Sequence, residues 1–280
     1  MAFVTPLRYP GGKGRLGHWL GEVISHNDLR DGCYVEPYAG GAGAAAFLLK
    51  EKLVERIHIN DLDPLIFAFW RAVFNQTKSL ASMVLCAEVT LAARERAKET
   101  VRNAACASQI ELAFATFMLN RTSRSGILSG GPIGGRKQDG KYKVDARFNA
   151  EGLASRIEAL GALRKRVTVT NCDASDLLGS ISKVKGNFVY CDPPYYEKGH
   201  QLYKSHYSSA DHAGVASLML DMKCPWLVTY DDRPEISELY VGASCLRFGL
   251  HYSTHLMRPK AQELMFYGNL NLPRAPYLHR

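Results

Sequence analysis

The chain lacks the features that mark several protein classes. Its seven cysteines, at positions 33, 86, 106, 172, 191, 224 and 245, include no Cys-x-x-Cys pair, and an odd number cannot close into a complete disulfide set. Reduced, mostly buried thiols are therefore expected. The nine histidines are not paired with cysteines at zinc spacing, so no metal centre is expected. The longest small-or-apolar stretch, residues 38–49, is broken by glycines and falls well short of the roughly 18–20 residues a membrane span needs, so no span is expected. The opening residues MAFVTPLRYPGGKGRL hold no apolar segment followed by a small-residue cleavage site, and a cytoplasmic location is the expectation. There is no internal repeat and no low-complexity tract. Acid is scarce relative to base, 27 Asp+Glu against 35 Lys+Arg, for a net charge of +8.

What is present is an ordinary globular composition, 46% hydrophobic and 22% charged over 280 residues. That length buries a full core in one large domain, or in a domain with an insert, and excludes disordered and fibrous classes. The excess charge is local. Residues 120–150 carry Arg121, Arg124, Arg136, Lys137, Lys141, Lys143 and Arg147 against only Asp139 and Asp145, together with six glycines. Glycine at that density breaks helices and favours loops or a hairpin, so this stretch reads as a separate basic element. On either side, CYVEP, RIHIN, RVTVTN, NFVYCD and WLVTYD read as strands ending in a polar or acidic residue, several followed by helical periodicity. That alternation predicts an α/β fold with a doubly wound, mostly parallel sheet. Residues 80–119, rich in Ala, Leu and Glu and free of Gly and Pro, read as helical and lead into the basic element.

Two motifs carry chemistry. Glu36-Pro37-Tyr38-Ala39-Gly40-Gly41-Ala42-Gly43 stands where a strand turns into an Ala-rich helix, and the next strand ends at Asp61. Glycines there let a ligand approach the backbone, and a carboxylate at the second strand tip suits the two hydroxyls of a ribose. Alone, this pattern serves a nicotinamide cofactor almost as well as a methyl donor. The second motif, Asp192-Pro193-Pro194-Tyr195, closes the apolar run 187–191. Its prolines fix φ and remove two backbone donors. A carboxylate and the Pro193 carbonyl can then accept both protons of an exocyclic amine while Tyr195 stacks on the ring, which localises the nitrogen lone pair and aims it at an electrophile.

With both motifs in hand, the sequence resembles the Dam-like, D12-class, alpha-type DNA adenine-N6 methyltransferases over nearly its whole length. The resemblance rests on Tyr9-Pro10-Gly11-Gly12-Lys13, the Glu-Pro-Tyr glycine loop, Asp61, Leu119-Asn120-Arg121 ahead of a recognition hairpin, and Asp192-Pro193-Pro194-Tyr195. It implies the S-adenosylmethionine-dependent methyltransferase fold with an inserted helical and hairpin target-recognition domain. The catalytic part would be residues 1–78 and 160–280 and the DNA-binding insert residues 79–159. It implies transfer of a methyl group from S-adenosylmethionine to the N6 amine of an adenine flipped out of duplex DNA. Asp192, Pro193, Pro194 and Tyr195 would be catalytic. Tyr9, Lys13, Glu36, Tyr38, Gly40, Gly41, Asp61, Asp173 and Asp192 would meet the cofactor, with Asp173 equally readable as a helix N-cap. Arg121, Arg124, Ser125, Arg136, Lys137, Lys141 and Lys143 would meet DNA. Restriction–modification is one setting such an enzyme serves.

Two positions depart from the family. Ala42 stands where the family's glycine loop has its last glycine, and Ser129 stands where GATC-specific relatives carry a guanine-reading arginine. Tyr230 is readable as a wall around the flipped base or as core, and the loop with Arg258 and Lys260 as a phosphate contact or a solvated loop. Methylation of cytosine N4, or of an RNA or protein amine, uses the same turn. A nicotinamide oxidoreductase leaves Asp192 and the basic element without a role, and a silent DNA-binding module leaves both motifs without one.

Overall fold

Five short apolar segments, each closed by a polar or acidic residue, form the parallel part of one sheet. They are β1 (Cys33–Glu36), β2 (Arg56–Asn60), β3 (Val167–Thr170), β4 (Asn187–Cys191) and β5 (Trp226–Asp231). The computed structural model describes residues 4–9, 11–196, 207–251 and 260–278. Two further strands, β6 (Ser244–His251) and β7 (Lys260–Gly268), complete the sheet in the order β3-β2-β1-β4-β5-β7-β6. Every neighbouring pair from β3 to β5 is parallel, and β7 runs antiparallel to both β5 and β6. The Arg258 loop lies outside the described residues, as does the side chain of Lys260.

The central strands are buried on both faces, so they read as unbroken apolar runs rather than alternating ones; β4 is buried at every residue. Successive side chains divide between two cores. Tyr34, Phe188, Tyr190 and Leu227 join one with Trp19, Phe69 and Trp70, while Val35, Val189, Cys191 and Val228 join the other with Leu178, Val215 and Met219. The helices supply the outer layers. On the chain's way to β3 come α1 (Gly17–His26), α2 (Gly43–Lys50) and α3 (Pro64–Asn75), then α4 (Thr77–Leu85), α5 (Leu91–Arg102), α6 (Gln109–Thr122) and α7 (Ala150–Gly161). After β3 come α8 (Ala174–Ile181), α9 (Ser209–Leu220) and α10 (Pro234–Leu239).

The chain passes from β1 to β2 on one side and later returns to place β4 on the other. The C-terminal ends of β1 and β4 therefore flank the point where the winding reverses, the place such sheets open a crevice. Both sequence motifs sit on those two ends.

Residues 80–119 are helical, in three pieces: α4, α5 and α6 are separated at 86–90 and 103–108, where Thr90 and Ser108 cap the next helix, Ser108 in a reciprocal capping box with Glu111. Two expectations change. The glycine-rich basic element is not a regular hairpin. Its described pairing is a single bridge between Ser123 and Pro132, with Arg124 N–H donating to the Gly131 carbonyl at 2.9 Å, and the remainder is turns. Of the cysteines, Cys191 and Cys224 are buried, but Cys86, Cys106 and Cys245 are exposed, because they sit at helix ends and on the sheet's outer strand rather than in its centre. The helices of residues 79–159 share a core with the sheet: Leu80, Val84, Phe117, Leu153 and Ile157 pack in the same cluster as Phe69 and Trp70 of α3.

Candidate active site

β1 ends at Glu36, and residues 37–42 turn the chain into α2. The turn is tied to its neighbours by Asn60, the last residue of β2, whose amide donates to the carbonyls of Pro37 (3.1 Å) and Cys172 (3.0 Å). One buried side chain thus fixes three strand tips. Asp61 follows, and its two carboxylate oxygens accept the N–H groups of Gly40 (2.7 Å) and Asp63 (2.9 Å). Burial outweighs these hydrogen bonds and pushes Asp61 up to about 7.

The glycines of the turn admit a protein side chain as well as any ligand. Tyr9 packs against them so closely that a Cβ on Gly40 (φ +45) would come within 2.6 Å of its ring, and a Cβ on Gly41 within 2.9 Å of its Cβ. Thr5 Oγ1 donates to the Gly41 carbonyl and Trp70 Nε1 to that of Gly40 (2.8 Å). The N-terminal segment is therefore a strap over the loop. Ala42, at the family's glycine position, is left-handed (φ 41, ψ 39) and starts α2. Glu36 is buried beneath this turn and accepts the Tyr34 hydroxyl and the Ala45 N–H, both at 3.0 Å. Burial pushes it up to about 8, with the charge of Asp192 adding to the rise and the two hydrogen bonds opposing it.

At the end of β4, Asp192 meets Lys13 across 179 residues of chain. Lys13 Nζ donates to Oδ1 at 2.7 Å and to Oδ2 at 2.9 Å, and Thr229 Oγ1 donates to Oδ1 at 2.8 Å. Thr229 is itself paired with the Tyr190 hydroxyl at 3.0 Å. Lys13 is 6% exposed and Glu263 1%, and the two form an ion pair at 3.4 Å. The Tyr195 hydroxyl donates to the other oxygen of Glu263 at 3.3 Å. A Cβ on Gly11 (φ +71) would lie 2.6 Å from that hydroxyl, so the strap also closes on the second motif. Pro193 is buried and Pro194 lines the cleft.

The two motifs face each other across a cleft of about 270 Å³. Tyr9, Lys13, Glu36, Tyr38, Gly40, Gly41, Asp61 and Asp192 line it. Asp173 does not: it caps α8 by accepting the Ser175 N–H at 2.8 Å, and it is the adjacent Ala174 that reaches the cleft. Tyr230 is fully buried in the second core, 3.3 Å from His212 Nδ1, which makes it a core residue. Among the described residues there is no group of three or more His, Cys, Asp or Glu able to hold a metal ion, and no helix is long and apolar enough to cross a membrane.

Of the basic element, Arg124, Arg136, Lys137, Lys141 and Lys143 are exposed, and Ser125 is half-buried in a left-handed turn (φ 56). Arg121 differs. Its guanidinium donates to the Arg147 carbonyl from two nitrogens, one at 2.7 Å, and to the Pro6 carbonyl at 3.5 Å. Burial, with Arg8, Arg156 and Arg147 nearby, lowers it to about 9. It braces the strap against the basic element. Ser129 lines the cleft beside Ile127 and Leu128.

Sequence reasoning missed Glu263, Thr229, Tyr190 and Tyr207. The last lines the cleft and pairs its hydroxyl with that of Tyr38 at 3.0 Å. Glu263 left a signal, a lone carboxylate leading the apolar run Leu264-Met265-Phe266.

Residues 9–258 match the family model described as D12 class N6 adenine-specific DNA methyltransferase. No curated protein matches the chain. Among solved structures, the chain is similar to a candidate RNA methyltransferase from Pyrococcus horikoshii at 10% identity, over 93% of this chain and 84% of that one, with a TM-score of 0.43. It is also similar to a candidate class I S-adenosylmethionine-dependent methyltransferase from Listeria monocytogenes at 10% identity, over 99% of this chain and 65% of that one, with a TM-score of 0.42.

Proposed function

The chain belongs to the D12 class N6 adenine-specific DNA methyltransferase family, and from that premise we propose that it methylates the N6 amine of an adenine flipped out of duplex DNA. It is an S-adenosylmethionine-dependent methyltransferase, and its doubly wound sheet is the fold of that class. The cleft's donor set fits the cofactor. Asp61 and Asp63 stand at the β2 tip to accept ribose hydroxyl protons, and Leu62, Ile66 and Tyr207 offer apolar walls for a purine. When bound, the cofactor supplies an electrophilic methyl group on a cationic sulfonium.

The observation that carries the reading is the state of Asp192. Its Oδ1 already accepts from Lys13 and Thr229, whereas Oδ2 accepts from Lys13 alone among the described residues. Oδ2 therefore keeps an acceptor site for an amine N–H, and the Lys13 ammonium holds the carboxylate oriented before substrate arrives. Asp192 need not remove a proton during the attack, because the product can lose it after the methyl group has moved. Catalysis is then positioning and electrostatics. Tyr195, steadied by Glu263, offers a face for stacking, which offsets part of the few kcal/mol that unstacking the base costs.

Residues 1–78 and 160–280 would act as the catalytic part and 79–159 as the DNA-binding part. Arg124, Ser125, Arg136, Lys137, Lys141 and Lys143 would grip DNA, with Arg121 holding their frame, and a location with the DNA, the cytoplasm, follows. Incubation of duplex DNA with methyl-labelled cofactor, followed by digestion to nucleosides, tests this. Label in N6-methyl-2′-deoxyadenosine, lost in Asp192→Ala while DNA binding persists, is the expected result. Label in cytosine, or substantial turnover by Asp192→Ala, would overturn it.

A further inference from the structure

Arg94 is 0% exposed in α5 and belongs to neither motif. Its charge has no buried counter-ion: the carboxylate it meets is that of Glu95 at 3.4 Å, which is exposed and lies closer to Lys98, at 2.9 Å. Its Nε finds no partner among the described residues. α5 and α6 otherwise meet through Ala97, Ala115, Met118 and Leu119, and an apolar residue at position 94 would serve that packing without the cost of desolvating a cation. What the guanidinium does instead is hold both ends of one loop. Its Nη2 donates to Ser123 Oγ at 3.1 Å and to the Gly130 carbonyl. Within the loop Ser125 is left-handed (φ 56), a strained conformation that persists only where the surroundings fix it. Asn120 supplies a second tie, donating to the Gly126 carbonyl at 2.9 Å and to the Arg8 carbonyl at 2.7 Å. A Cβ on Gly126 (φ +81) would collide with that same Arg8 carbonyl, so the loop has no slack against the strap. Residues 126–129 carry the basic element into the wall of the cleft, while Arg124, at the start of the loop, is exposed.

We propose that Arg94 is a positioning residue for target discrimination: from α5 it sets the shape of the 123–130 loop, which stands between the base to be methylated and the DNA around it. The proposal rests on the reading above, that the cleft receives a base flipped out of duplex DNA. Discrimination needs this loop rigid, because a wrong neighbouring base pair is rejected only by a wall that does not give way to it. Arg94 is buried away from any DNA, and it acts through the Ser123 hydroxyl and the Gly130 carbonyl.

Arg94→Lys keeps the charge but replaces the forked guanidinium by a single ammonium, and Ser123→Ala removes one acceptor while leaving Arg94 in place. Single-turnover methylation is measured on a duplex with the sequence context read from plasmid DNA modified by the wild type, and on duplexes with one flanking base pair altered. Arg94→Lys should raise the rate on altered duplexes relative to the cognate one by about tenfold, within the range that a single mismatched pair commands, and Ser123→Ala should move it the same way by less. The Kd for S-adenosylmethionine, from isothermal titration, should stay at the wild-type value, because neither residue lines the cleft. A merely structural role would slow every duplex by one factor, so a ratio that does not rise in Arg94→Lys would overturn the proposal. A matching loss of cofactor affinity would overturn it too, by assigning Arg94 to the stability of the whole cleft. Ser123→Ala carries the test if Arg94→Lys does not fold. Wild-type protein that methylates cytosine in one context would instead refute the proposed reaction, and the same ratio taken on cytosine would still decide the role of Arg94.

Discussion

The buried carboxylate beneath the glycine loop should be readable as a pH-dependent loss of stability. Glu36 is 5% exposed, and its raised value of about 8 means that the folded protein holds this proton more tightly than the unfolded chain, where an ordinary glutamate releases it near 4.5. Between those two values the native state binds the extra proton, so stability falls as pH rises, by about 1.4 kcal/mol per pH unit. Across the window this amounts to roughly 3–5 kcal/mol, present in full below about pH 4.5 and lost by the time pH passes 8. Glu36→Gln keeps an oxygen to accept the Tyr34 hydroxyl and the Ala45 N–H, but it never ionises. Urea unfolding of the cofactor-free protein at pH 5, 6, 7 and 8 should therefore show the variant gaining on the wild type at every step. Asp61, raised to about 7, adds a slope of the same sign to both proteins and cancels in the difference. Curves that stay parallel within about 0.5 kcal/mol would refute the reasoning, because Glu36 would then already be ionised in the fold.

The remaining predictions concern the basic element and the glycine loop. Five exposed cations, Arg124, Arg136, Lys137, Lys141 and Lys143, should give a slope of log K against log salt near −4 to −5, read by fluorescence anisotropy, and each alanine variant should flatten it by about 0.9. Arg121→Ala should leave the slope alone and cost about 1–3 kcal/mol of stability instead, since its guanidinium holds the Arg147 and Pro6 carbonyls; a lost unit of slope would place it on a phosphate. Ala42→Gly trades a left-handed alanine for a lost buried methyl and should stay within about 1 kcal/mol of the wild type, while Ala42→Val should lose about 2 kcal/mol or more in urea unfolding. Equal stability of the Gly and Val variants would show that the turn is not left-handed.

The five parallel strands were legible because burial on both faces makes them short continuous apolar runs with acidic ends. β6 and β7 were not, since Arg247, Gln262 and Glu263 interrupt their apolar pattern and their antiparallel pairing depends on a long-range partner. Helix existence over residues 80–119 was legible from composition, whereas the breaks were written only in Thr90 and in the Ser108 and Glu111 pair, with no Gly or Pro to mark them. Most of the candidate cofactor residues and Asp192 and Pro194 line one cleft, whereas Pro193 and Tyr195 are not among its lining residues; Asp173 is spent on a helix cap, because a short polar side chain at a strand tip serves equally well there. Glu263 and Thr229 could not be found by spacing: each meets the site from a distant strand. Arg121 shows the opposite limit, a cation in a basic run whose charge is spent on backbone carbonyls.

The central claim is that Asp192, preset by Lys13 and Thr229, holds an adenine amine for methylation. Plasmid DNA from cells expressing the wild type and Asp192→Ala, sequenced with modification-sensitive reads, tests it most directly. The account predicts N6-methyladenine in one defined sequence context with the wild type and none with the variant. Methyl groups on cytosine, or adenine methylation that persists in Asp192→Ala, would contradict it.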